Sequence, residues 1–256
     1  MLFYRAALSL SPRTLNCLAG VAASAPPPVG SRRRALTCGR QALLVLVHLR
    51  TGAPFTQAGA GFAVSTSTAW RYVHEAVDLP AVRAPKLDRA LRAAREPGER
   101  ALFLDGTLIP IDRVAAERPF FSGRHRRHRM NLQVLATLNG RLIWVSGALP
   151  GSVHDLRAAR IWDIPWAVAR AGLLTLADKG YRGAGEPVLT PCKGRAKPEV
   201  LKDANRAHAR LRSPGERAIA QLKTWRILRQ LRCCPHRTGH IAKAVLVLQA
   251  RETHAY

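Results

Sequence analysis

The dipeptide Asn139-Gly140 constrains this chain more than any other pair of residues. It stands between two apolar runs, Leu132–Leu138 and Leu142–Val145, and Asn-Gly is the pair favoured by a two-residue type I′ turn, where both positions need positive φ. The spacing predicts a β-hairpin. Two further apolar runs bracket it. Ala101-Leu-Phe-Leu104 stops on Asp105-Gly106-Thr107, and Leu173-Leu-Thr-Leu-Ala177 stops on Asp178-Lys179-Gly180-Tyr181. Each has the length and continuity of a buried strand that ends on a carboxylate. Such an aspartate commonly caps a turn. It also lies where α/β sheets take their ligands, at the carboxyl ends of strands.

Between the hairpin and the last strand, Pro150-Gly-Ser-Val-His-Asp155 leads into a helix-like stretch, Leu156–Ala171. Strand, hairpin, helix and strand in this order predict a ribonuclease-H-like α/β domain over residues 99–256, a mixed sheet with flanking helices. A third acidic group is expected on a later helix. Ser213-Pro214-Gly215-Glu216 reads as a helix start with serine as cap and proline in the first turn. Glu216 and Lys223 are then two turns apart on one face, with Arg212 just upstream. Alone, a glutamate at a helix start does no more than complement the dipole.

Upstream of the sheet, residues 36–98 read as a small all-α region. An apolar run between Arg40 and Arg50 is closed by Thr51-Gly52, a short helix follows over Phe55–Phe62, and Ala63-Val64 forms a tight turn. Ser65 can cap the next helix, Thr66–Val77, with Ala69 and Val73 facing inward and Thr66, Ser67, Thr68, Arg71 and Tyr72 outward. This is the pattern of a helix-turn-helix, and Ser65, Thr66, Thr68 and Arg71 are its candidate DNA contacts. Gly59 and Gly61 count against it at about 1 kcal/mol each within a helix, and Ala63 occupies a turn position that usually holds glycine. A three-helix bundle would read similarly. An amphipathic helix, Lys86–Arg95, and the turn Glu96-Pro97-Gly98 close the region.

Charge names the partner class. The chain has 34 Arg and 7 Lys against 16 Asp plus Glu, a formal charge of +25, and the guanidinium is the group that grips phosphate in a bidentate fork. Nucleic acid is the expected partner. The basic loop Ser122–Arg129 adds Arg124, Arg126 and Arg127 as candidate backbone contacts. Five cysteines lack the spacing of a disulfide framework, which predicts a reducing interior rather than secretion. The longest uncharged stretch, Thr14–Ser31, contains three consecutive prolines, so no membrane span is expected. Residues 1–35 read as an extension and linker: Ala23-Ser24-Ala25 imitates a secretory cleavage site, but Asn16 and Gly20 interrupt the preceding apolar run. Cys233-Cys234-Pro-His236-x3-His240 matches no common zinc spacing. Trp144, Trp162, Trp166 and Trp225 are assigned to the core.

Leu104-Asp-Gly-Thr107, Pro150-Gly-Ser-Val-His-Asp155, Ala177-Asp-Lys-Gly-Tyr181 and Arg212-x3-Glu216-x6-Lys223 together resemble the DDE transposases of bacterial insertion sequences, the DDE superfamily endonuclease type, over about Gly39 to Ala250. In that group the last motif begins with tyrosine, and here Ala209 stands at the position. The resemblance implies Asp105, Asp178 and Glu216 as catalytic and metal-binding triad, with Asp155 as rival acid and Arg212 and Lys223 as phosphate contacts. It further implies two Mg²⁺ ions, for which Mn²⁺ can substitute, double-stranded DNA (element ends and target) as partner, a homo-oligomer on DNA, and a place in the bacterial cytoplasm at the nucleoid. Two Asp and one Glu suit such ions because magnesium takes hard oxygen ligands. The alternative is a non-catalytic DNA-binding protein derived from a decayed transposase.

Overall fold

The computed structural model describes residues 8–24, 34–112, 120–122, 127–194, 198–232 and 234–253. Five helices come first: α1 (Pro12–Ser24), α2 (Cys38–Thr51), α3 (Phe55–Gly61), α4 (Thr66–Arg83) and α5 (Leu87–Arg95). The sheet follows with β1 (Ala101–Pro110), β2 (Phe121–Ser122), β3 (Arg127–Thr137), β4 (Leu142–Val145) and β5 (Leu149–Pro150). Then come α6 (Asp155–Ile161), α7 (Ile164–Arg170), β6 (Leu174–Ala177), β7 (Val188–Leu189), α8 (Glu199–Lys223) and α9 (Thr238–Thr253).

The strands run β2-β3-β1-β6-β7, with β4 and β5 also paired to β3. Successive pairs β4-β3 and β3-β1 are antiparallel, whereas β6 and β7 continue from β1 in parallel. This is the expected ribonuclease-H-like mixed sheet. Alternation along β1 sends Phe103 and Ile109 to one face, where they pack with α2, α4, α9 and the end of α8. Leu102 and Leu104 go to the other face, against α5, α6 and α7.

Several local expectations change. The hairpin forms, but Thr137 and Arg141 close it around three residues, and only Gly140 takes a positive φ, +91°. The Asn139 side chain pairs with the Thr137 hydroxyl and accepts from the Arg141 amide at 3.3 Å, which favours a glycine-ended three-residue loop over a type I′ turn. The stretch 156–171 is two helices, broken at Asp163 (φ 57°), because Pro165 has no N–H to continue the first one. Neither Pro80 nor Pro214 ends its helix. Thus α4 runs beyond Val77 to Arg83, and α8 begins at Glu199 rather than at Ser213. Within the N-terminal extension, residues 12–24 form α1, with Leu18 and Val21 buried in the cluster that holds Phe103; residues 25–33, with the triple proline, lie outside the described residues. Trp144 and Trp225 are buried as expected, but Trp166 is exposed and carries the Arg170 guanidinium 3.9 Å from its ring centroid.

Candidate active site and DNA-binding helix

Leu104 pairs with Ala177 in the parallel register, so Asp105 and Asp178 are the next residues on two adjacent strands. β6 ends there, and Asp178 caps a 3₁₀ turn, accepting from the Gly180 amide at 2.7 Å. β1 does not stop on its aspartate as predicted. It continues to Pro110 because β3 pairs with it through Arg129.

Asp105 lies on the Phe103 face of β1, toward α8. Gly215 of α8 presses so closely on Phe103 that a Cβ there would stand 2.1 Å from the ring. That contact lays the helix across the strand, and the Arg212 guanidinium comes 3.8 Å from the Asp105 carboxylate and 5.2 Å from the Phe103 centroid. Burial lowers the Lys223 pKa, as do Arg129 and Arg229, while Asp105 opposes them. Arg212, Glu216 and Lys223 recur at helical spacing along one face of α8, but Glu216 is exposed and, among the described residues, makes no contact with Asp105 or Asp178; the acids that act on Asp105 are Asp178 and Asp155. Burial raises the Asp105 carboxyl to about 7; Asp178 and Asp155 raise it further, while Arg212 and the Gly106 amide oppose them.

Asp155 occupies the other face. A Cβ on Gly106 would meet its Oδ1 at 2.0 Å, and one on Gly180 would meet its Oδ2 at 3.4 Å. Its Oδ1 accepts from the Asn131 amide at 3.0 Å and the Gln133 amide at 3.3 Å. Gln133 in turn accepts from the buried Tyr181 hydroxyl at 2.6 Å. Sequence reasoning missed these amides. Their signal was available in Asn131 and Gln133, two polar residues alternating with the apolar Met130, Leu132 and Val134.

Asp105 and Asp178 offer hard oxygen donors in a surrounding that penalises uncompensated negative charge, which fits a divalent cation. Among the described residues, no three Asp, Glu, His or Cys side chains are grouped closely enough to hold a metal ion. Magnesium does not need such a cage, since it commonly takes one or two carboxylates and completes its shell with water and substrate phosphate.

In the helical region, Ser65 caps α4 by accepting from the Thr68 amide at 3.1 Å. Ser65, Thr66 and Arg71 are exposed, and the Thr68 hydroxyl accepts from Ser65 and, at 3.4 Å, from Arg71. Ala63 takes the left-handed conformation, φ 55°. Gly59 is required rather than tolerated, because a Cβ there would stand 2.8 Å from the Val64 carbonyl across the turn. Tyr72 is corrected from outward to buried, its hydroxyl accepting from the Ala35 amide at 3.0 Å: eighteen residues of helix packed on α2 and α9 leave less free surface than a twelve-residue one would. Arg124 and Arg126 lie outside the described residues, as does the side chain of Arg127.

Residues 104–249 match the family model described as DDE superfamily endonuclease. The chain belongs to that family. Residues 34–86 match the helix-turn-helix of DDE superfamily endonuclease, so α2, α3 and α4 are that element. Among curated relatives, the transposase assigned to insertion sequence element IS112 of Streptomyces albus G is 33% identical over 199 residues, 75% of this chain and 71% of that one. The transposase assigned to insertion sequence element IS702 of Microchaete diplosiphon is 27% identical over 207 residues, 77% and 74% of the two chains. A chain from the crystal structure of a pre-cleavage Mos1 transpososome aligns over 90% of this chain and 80% of its own at 13% identity, but its TM-score of 0.23 carries no argument about this DDE endonuclease. Among the described residues, no helix is long and apolar enough to cross a membrane.

Proposed function

We propose that this DDE endonuclease is a transposase: it grips the ends of a mobile DNA element through α4 and cuts and rejoins phosphodiesters at Asp105, Asp178 and Glu216. The observation that carries the reading is the pairing of Asp105 and Asp178 on neighbouring parallel strands beneath the Arg212–Glu216–Lys223 face of α8. Two Mg²⁺ ions, when bound, would supply a deprotonated oxygen nucleophile and neutralise the leaving oxygen. Asp105 and Asp178 would hold them from the sheet, and Glu216 from the helix. Because Asp105 retains its proton to about 7 in the metal-free protein, cation binding must expel that proton, and affinity rises with pH. Arg212 is held near Asp105 at the long distance of 3.8 Å and is free to exchange that partner for a DNA phosphate; Lys223 sits at the far end of the same face. Water attack on phosphorus breaks the P–O bond at the element's end and leaves a 3′-hydroxyl. That hydroxyl then attacks a target phosphodiester, giving up its proton as the target's own P–O bond breaks.

On the recognition side, Ser65, Thr66, Thr68 and Arg71 present short hydroxyls and a guanidinium along the exposed start of α4, suited to phosphate and base-edge contacts in a DNA groove. Arg124, Arg126 and Arg127 are further candidate phosphate contacts, and pairing of two ends calls for a homo-oligomer on DNA. Ala209, in place of the motif tyrosine, favours the alternative of a protein that binds ends without cutting them. Incubation of the full chain with end-bearing duplex and Mg²⁺ separates the two: nicking that disappears in Asp178→Ala establishes the transposase, and binding without nicking establishes the alternative.

A further inference from the structure

We infer that Asp155, Asn131, Gln133 and Tyr181 form a positioning relay that sets where Asp178 stands, so that Asp155 serves the carboxylate centre without being one of its ligands. The inference rests on the proposed metal-dependent reading of Asp105 and Asp178. Tyr181 belongs to the same short segment as Asp178 and is fully buried. Its hydroxyl donates to Gln133 Oε1 at 2.6 Å; Gln133 Nε2 donates to Asn131 Oδ1 at 2.9 Å and to Asp155 Oδ1 at 3.3 Å. Asn131 Nδ2 donates to Asp155 Oδ1 at 3.0 Å and to the Val153 carbonyl at 2.9 Å. Every member thus touches the next, from the turn that carries Asp178 across β3 to the start of α6.

The relay meets that turn at two places, one a hydrogen bond and one a close approach. Tyr181 anchors its far end, and Asp155 Oδ2 lies against Gly180, whose amide holds Asp178. Asp155 lies under Gly106, whose face is opposite that of Asp105, and acts on the Asp105 carboxyl from across the strand. Its Oδ1 is already taken by two amides. A network in which each polar group is satisfied by another fixes geometry more firmly than its separate bonds would, and groups that orient metal ligands typically change metal affinity by about 10- to 100-fold when altered.

The relay therefore predicts an effect of shape rather than of charge. Mn²⁺ binding to the full chain, followed by loss of the free-ion electron paramagnetic resonance signal, should weaken about tenfold in Tyr181→Phe and in Asp155→Ala. Asp155→Asn retains an acceptor oxygen for both amides and should bind Mn²⁺ within a few-fold of wild type, while Asp178→Asn loses binding. Melting of each variant without metal verifies the fold, and a purely structural role would lower melting without moving Mn²⁺ affinity. If Asp155→Asn binds as poorly as Asp178→Asn, Asp155 is a ligand and the inference is overturned. Wild-type affinity in Tyr181→Phe and Asp155→Ala, with Asp178→Asn defective, also overturns it but leaves the proposed function standing. Equal binding by wild type and Asp178→Asn removes the metal centre and the inference together.

Discussion

Asp105 and Gly106 are adjacent on one strand and open onto opposite faces of the sheet. On the Asp105 face the neighbours are a guanidinium and an ammonium on a helix; on the Gly106 face they are neutral amides, a tyrosine hydroxyl and Asp155. Two acidic side chains are therefore surrounded by different groups a strand's thickness apart. A guanidinium at 3.8 Å can leave for a phosphate, whereas side-chain amides locked into one another cannot. The difference teaches which face is built for exchange and which for permanence.

The sharpest break of this comparison is catalytic. Asp105→Ala and Asp178→Ala should each bring DNA nicking to background, while Asp155→Asn keeps it within about tenfold of wild type, the scale of an orienting group; gel analysis of nicked end duplex decides. The next effect is on stability. The folded protein holds the Asp105 proton to about 7 against an ordinary value of 3.8, so metal-free stability is greatest below pH 4 with respect to this group and falls as pH rises toward 7. Asp105→Asn should flatten that fall and stabilise the metal-free chain at pH 8 by up to about 4 kcal/mol, with little effect at pH 4; denaturant melts at both pH values test it. Added Mn²⁺ should restore wild-type stability at pH 8 but not that of the variant.

Two glycines test the faces separately. Alanine at Gly215 would meet Phe103 at 2.1 Å, and alanine at Gly106 would meet Asp155 at 2.0 Å. Each should cost about 3 kcal/mol as overpacking. Gly215→Ala should also loosen the Arg212–Asp105 contact and shift the Lys223 titration upward as the helix lifts, an effect that Gly106→Ala should not share; NMR titration of the lysine distinguishes them. The smallest effect lies far from both faces. Ser65→Ala removes the cap of α4 and should cost about 1 kcal/mol in melting, leaving Mn²⁺ binding unchanged.

Much of the sheet was legible because its strands contain apolar runs with plain ends, although β1 continues past its run to Pro110, and the Asn-Gly pair fixed one of its connections. The two aspartates followed from those ends. What could not be read depended on contacts outside each local run. Ser213-Pro214 carries the local signature of a helix start, and only the continuation from Glu199 through an exposed upstream half, where water can take the carbonyl freed by proline, makes it an interior. Gly59 looked like a defect because its reason, the Val64 carbonyl, lies across a turn. Asp155 was visible as an acid but not as a member of a relay, since its partners Asn131 and Gln133 are more than twenty residues upstream.

α9 packs on α4 at one side and on β4 at another, and one apolar cluster runs through all three. Under the proposed function, a reading helix braced in this way is the end of a ruler. With α4 seated in a groove, the distance from its first turn to Asp105 is set by the protein body rather than by a tether, and it translates into a count of base pairs between the sequence that is read and the bond that is cut.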